Sequence, residues 1–128
     1  MTTRFECTIP ILRVISLQDS LKYYQEVLGF ERDWGGDDAF SYIASVSRDK
    51  CALMLFEGAQ GQLGTWVWIG VEDVEPLYRD FQTRGVKIIM PPTNFWWALE
   101  MRIEDPNGHV LRFGSESRPD RPLCDPPD

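Results

Sequence analysis

The 128-residue sequence has a single histidine, His109, and only three cysteines, Cys7, Cys51 and Cys124, which lie far apart with no CxxC pair. Scattered thiols, odd in number, are expected to stay free. A zinc site needs several His or Cys side chains at close spacing, and that pattern is missing. Basic residues are also scarce: 13 Lys and Arg stand against 20 Asp and Glu, for a net charge of −7. Without a basic stripe there is nothing to grip a phosphate backbone, so nucleic acid is excluded as a partner. No apolar run approaches the roughly 18 residues of a membrane span. The start, Met1 to Glu6, lacks a basic segment followed by an apolar one, so the expected location is the cytoplasm, away from membranes. There is no GxGxxG or Walker loop to cradle a phosphate cofactor and no GxSxG nucleophile turn, and no cofactor is expected.

What the chain does have is tryptophan, five in all, four of them close together as Trp66 with Trp68 and Trp96 with Trp97. An indole is costly to bury unless its N–H finds a partner, so such a cluster is either core or a platform for a ligand.

A repeat organises the chain. Ile15 aligns with Val71, Leu21 with Leu77 and Gly29 with Gly85, at one constant offset. In the first copy, Phe5 to Val14 reads as a strand, with Pro10 placing it at an edge. Ser16 is a helix N-cap with Asp19 three residues on. Leu17, Leu21, Tyr24 and Leu28 form one apolar stripe, and Gly29 closes the helix. Strands follow at 30–34, 39–47 and 51–56, and Gly58 to Gly64 is a loop between the copies. In the second copy a strand spans 65–71, and Val74, Leu77, Tyr78 and Phe81 form a helical stripe ended by Gly85. Strands then run over 86–90, 97–104 and 110–113, with Pro91 and Pro92 breaking the first from the second. Two βαβββ modules result, at about 5–58 and 64–115, within one domain over 1–116. The fold class is α+β, a curved mixed sheet with a concave cleft. The proline-bearing tail, 117–128, is expected to be extended or mobile.

Alternation along strand 65–71 puts Val67 and Ile69 on one face and Trp66 and Trp68 on the other. Branched aliphatics suit the underside of a helix. Indoles suit either core or a cleft wall.

The repeat, the helix Leu21-Lys22-Tyr23-Tyr24-Gln25-Glu26-Val27-Leu28-Gly29-Phe30 and the turn Asp105-Pro106-Asn107-Gly108-His109 resemble the vicinal oxygen chelate superfamily of glyoxalases, extradiol dioxygenases and antibiotic-resistance proteins. Within it, Trp66-Val67-Trp68-Ile69 before Glu72-Asp73, the stretch Phe30 to Trp34 with Asp37-Asp38, and Trp97 ahead of Glu100 are similar to bleomycin-resistance proteins. That resemblance implies a homodimer that sequesters a cationic glycopeptide antibiotic in clefts at the subunit interface. It matches Trp97 to an aromatic that stacks on the drug's flat rings.

The superfamily's enzymes hold a divalent metal through four side chains, and the flanking motifs put those positions on Ile9, Met54, Trp66 and Arg112. Ile and Trp offer no lone pair, Met is a soft ligand and Arg112 is a fixed cation, so no metal site is expected. His109 is expected to flank its turn with a solvent-facing ring. Trp34, Phe40, Tyr42, Met54, Phe56, Trp66, Trp68, Trp96 and Trp97 are candidates to line an apolar cleft. Asp37, Asp38 and Glu100 are candidates to meet positive charge at its rim. Arg112 is expected either to pair with a carboxylate or to meet an anionic group of the ligand, since an unpaired buried guanidinium is severely unfavourable. The leading expectation is a metal-free protein that binds a planar, aromatic, cationic small molecule of the bleomycin class and carries out no catalysis. A metal-dependent lyase, isomerase or dioxygenase and a purely structural dimer module stand as alternatives.

Overall fold

A computed structural model describes residues 2–127. Eight strands and two helices follow in the order β1 (Ile11–Arg13), α1 (Leu17–Lys22), β2 (Glu31–Gly35), β3 (Ile43–Arg48), β4 (Cys51–Phe56), β5 (Trp66–Gly70), α2 (Val74–Thr83), β6 (Lys87–Asn94), β7 (Leu99–Glu104) and β8 (Val110–Ser115). They form two four-stranded sheets, β1-β4-β3-β2 and β5-β8-β7-β6, so the expected mixed sheet comes as two halves with the same order. In each half the first strand runs parallel to the last, and the remaining pairs are antiparallel.

The helices form where the caps and stripes indicate. Ser16 accepts the Asp19 N–H, and Asp73 accepts the Glu75 N–H. α1 continues into a π turn, Tyr23–Val27. Gly29 and Gly85, the matched terminal glycines, adopt φ of +77° and +74°, the left-handed conformation that ends a helix cheaply only without a Cβ. Leu17, Leu21, Tyr24 and Leu28 pack with Leu12, Val46, Leu53 and Leu55, and Val74 and Phe81 with Ile69, Met101, Leu111 and Phe113, all within one continuous core. No helix among the described residues is long and apolar enough to cross a membrane.

Several expectations fail for identifiable reasons. β1 is only Ile11–Arg13, because Pro10 has no N–H and residues 2–8 lie exposed. Pro91 and Pro92 do not break β6, which runs through both. It is the sheet's outer strand, where a missing donor faces no neighbour, and its register shifts between Met90 and Thr93. Residues 39–42 form a loop before β3. There the Asp38 carboxylate takes the Phe40 N–H at 2.8 Å, a local bond that competes with the ladder.

His109 is wholly buried, the opposite of the expected solvent-facing ring. Its Nδ1 accepts the Thr65 N–H at 3.0 Å, and its Nε2 donates to the Arg13 carbonyl at 2.6 Å. The turn it ends joins the two modules. The Tyr24 hydroxyl donates to Asp105 at 2.7 Å, Asn107 Oδ1 accepts the Ile15 N–H at 2.9 Å, and Asn107 Nδ2 donates to Ser20 at 3.0 Å.

The tail is extended but tied down. Buried Asn94 donates to the Arg118 and Arg121 carbonyls and accepts the Ser117 hydroxyl and the Arg118 N–H. Arg118 bonds Asp73 at 2.8 Å, and Arg121 bonds Glu75. These contacts anchor the turn end of the β6–β7 hairpin to the start of α2.

Candidate functional site

With both helices and the core on one side, each sheet keeps a second face. Strand alternation sends Ile69 to the core, at 7% exposure, and leaves Trp66 and Trp68 on the open face at 53% and 47%. Across the second sheet, Trp68, Arg112, Arg102 and Met90 lie in register, and Gly70, Gly114, Glu100 and Thr93 form the next row. The Trp68 indole lies flat over Gly114, where a built Cβ would fall 2.1 Å from the ring. Gly114 is therefore what lets an indole lie against the sheet.

Glu100 organises this face. It is completely buried. Its Oε1 accepts from Trp97 Nε1 and Arg112 Nη2, both at 2.9 Å, and its Oε2 accepts from Arg102 Nε and Arg112 Nε, both at 2.7 Å. Four charge-assisted or polar donors fill the carboxylate's acceptor capacity. Burial acts to raise the Glu100 pKa, but the bonds from Arg112, Trp97 and Arg102 outweigh it and hold the carboxyl down at about 2. The two cations are in turn fixed against the indoles, Arg112 5.2 Å from the Trp68 ring and Arg102 5.4 Å from the Trp66 ring.

Trp96 and Trp97 sit in the turn that closes the β6–β7 hairpin, with the Phe95 N–H bonded to the Ala98 carbonyl at 2.8 Å. Trp97 stacks on buried Phe95, rings 4.4 Å apart and 3° from parallel, and Trp96 meets Trp97 edge-on. Trp96 is 74% exposed.

On the first sheet's open face, Ile11, Met54, Ser45 and Trp34 share one row. Phe56 lies in the next, and the ring of Tyr42, from the β2–β3 loop, meets it edge-on at 5.6 Å. Phe40, at 93% exposure, stands out in the same loop instead of sharing a strand face with Tyr42. Asp37 pairs with Arg32 at 3.3 Å, and Asp38 is spent on its own turn.

The structure thus brings Trp66, Trp68, Trp97, Glu100 and Arg112 together, with Trp96 beside them, and groups Trp34, Tyr42, Met54 and Phe56 separately on the other sheet. No ring contact joins the two groups among the described residues. Within one chain the aromatic face is an open wall. A hollow of about 610 Å³ lies elsewhere, between the β3–β4 turn and the start of α2, over Phe30, Cys51, Leu77 and Phe81. Arg102 was not among the sequence candidates. Its spacing of two from Glu100 on one strand was the available signal.

A divalent metal does not fit. Of the four positions the resemblance assigns to metal ligands, Met54, Trp66 and Arg112 do lie on open faces, but none offers a hard donor. No group of three His, Cys, Asp or Glu side chains able to hold a metal ion occurs among the described residues.

Known proteins resemble this chain in fold. TioX from Micromonospora sp. ML1 superposes with a TM-score of 0.76 at 16% identity, over 87% of this chain and 99% of that one. The bleomycin-binding protein of Streptomyces verticillus, solved with copper(II)-bleomycin, gives a TM-score of 0.75 at 23% identity over 91% and 100%. TnmS3, an antibiotic-binding protein from Streptomyces sp. CB03234, gives 0.73 at 20% over 90% and 100%. No curated protein sequence matches. Residues 6–113 match the model of one family. The chain belongs to the Glyoxalase/Bleomycin resistance protein/Dioxygenase superfamily.

Proposed function

We propose that this chain is a small-molecule-binding protein that sequesters a planar aromatic ligand against its indole-lined sheet face, with no metal and no chemistry on the ligand. The observation that carries this reading is the pair Trp66 and Trp68, half-exposed on a face where Arg102, Arg112 and buried Glu100 brace them. Large amphipathic rings held rigidly in water are what stacking on a flat organic molecule requires. Each buried Å² of apolar ligand surface would contribute about 25 cal/mol.

In this reading the working unit is a homodimer. Each chain turns both helix-side faces inward and both open faces outward, so a second copy supplies the wall opposite Trp66 and Trp68. The first sheet's Trp34, Met54 and Phe56 are the side chains suited to that wall. Because relatives of the same fold bind antibiotics, a bleomycin-class compound is the first ligand to try. Titration of the purified protein with bleomycin is expected to quench tryptophan emission at micromolar concentrations. Unchanged emission throughout removes bleomycin as the ligand.

A further inference from the structure

Arg102 is largely withdrawn from water, with a side chain 11% exposed. Its Nε donates to Glu100 Oε2, and its guanidinium lies beside the Trp66 ring. That accounts for one of five N–H donors; among the described residues no protein acceptor takes the other four, which belong to Nη1 and Nη2. Glu100 cannot serve them, because Arg112 and Trp97 already share its oxygens. The charges along the second sheet's open rows are Arg102, Arg112 and Lys87 against Glu100 and Glu104, and Lys87 pairs with Glu104.

We infer that Arg102 binds an oxyanion, so that the ligand of the aromatic face is a flat ring compound bearing a carboxylate, sulfonate or phosphate group. The inference rests on the aromatic-face reading, but it names an anionic ligand in place of the cationic bleomycin class. The ring lies on Trp66 and Trp68, and the anionic oxygens take the two Nη groups of Arg102. A planar fork whose Nε is already fixed by Glu100 loses little entropy on accepting a second oxyanion, and its geometry suits bidentate recognition. A cationic group in the same place is repelled by the Arg102 guanidinium, and Glu100 is completely buried.

The test uses the full chain and three probes that share one ring: 2-naphthoate, the neutral 2-naphthylmethanol and the cationic 2-naphthylmethylammonium, each titrated by calorimetry in low salt. Naphthoate is expected to bind about tenfold more tightly than the alcohol, as one charge-assisted pair implies, and the ammonium more weakly than the alcohol. Arg102→Gln is expected to erase the preference for naphthoate over the alcohol. Equal binding of all three by the unmodified protein overturns the inference and leaves the aromatic-face reading standing. Binding of none overturns both. Because the unmodified protein already decides between these results, a folding defect in the variant does not blunt the test.

Discussion

Glu100→Leu is expected to destabilise the protein by about 3 kcal/mol or more, because it leaves the Arg102 and Arg112 guanidiniums without their shared counter-charge. Both cations are partly or largely withdrawn from water, and each is held against an indole. For a chain of this size that loss corresponds to a drop in Tm of roughly 10 °C. The same carboxylate makes the wild type sensitive to acid. A carboxyl held down at about 2 contributes stability that is fully present above its ordinary value of 4.5 and is lost as pH falls from there toward 2. Urea unfolding of Glu100→Leu at neutral pH reads the first effect, and wild type against Glu100→Gln at neutral pH and near pH 3 reads the second. The gap between them is expected to be wide at neutral pH and to narrow in acid. A gap that does not change with pH would show that Glu100 acts through packing alone.

His109→Ala is expected to cost about 3 kcal/mol, for a different reason. Its ring fills buried volume and bonds one backbone group of each module, so removal opens a cavity and orphans two part-buried backbone groups. The groups left unpaired are the Thr65 N–H and the Arg13 carbonyl. His109→Gln, which can offer both an acceptor and a donor, is expected to recover part of the loss. Chemical denaturation gives the magnitudes, and faster hydrogen exchange at Thr65 in the Ala variant locates the effect.

These two residues show how far the sequence could be read. The repeat, the helix stripes and the alternation in Trp66-Val67-Trp68-Ile69 are local signals, and strand and helix periodicity make them legible without a structure. That Trp66 and Trp68 face away from the core follows from their being out of phase with Ile69. His109 was not legible, because its partners lie 44 and 96 residues away and a lone histidine beside a turn carries no mark of burial. Glu100 was recognised as a site residue but expected at the rim. Its burial depends on three donor residues, Arg102, Arg112 and Trp97, converging from β7, β8 and the hairpin turn, a tertiary coincidence. Phe40 failed for a smaller reason: the strand was taken to begin at Ala39, whereas the Asp38 side chain holds the next residues in a turn. Pro91 and Pro92 misled because their effect depends on whether the strand is central or outermost.

The two arginines and the buried glutamate give the indole wall its rigidity, and rigidity is what makes stacking on it worth more than contact with a mobile loop. The central claim is that Trp66 and Trp68 receive a flat ring without the help of a metal. NMR of chelator-treated protein, following the indole N–H resonances as 2-naphthoate is added, tests it directly. The account predicts that the signals of Trp66 and Trp68 move together and saturate. Signals that stay fixed, or that move only after a divalent ion is supplied, would contradict it.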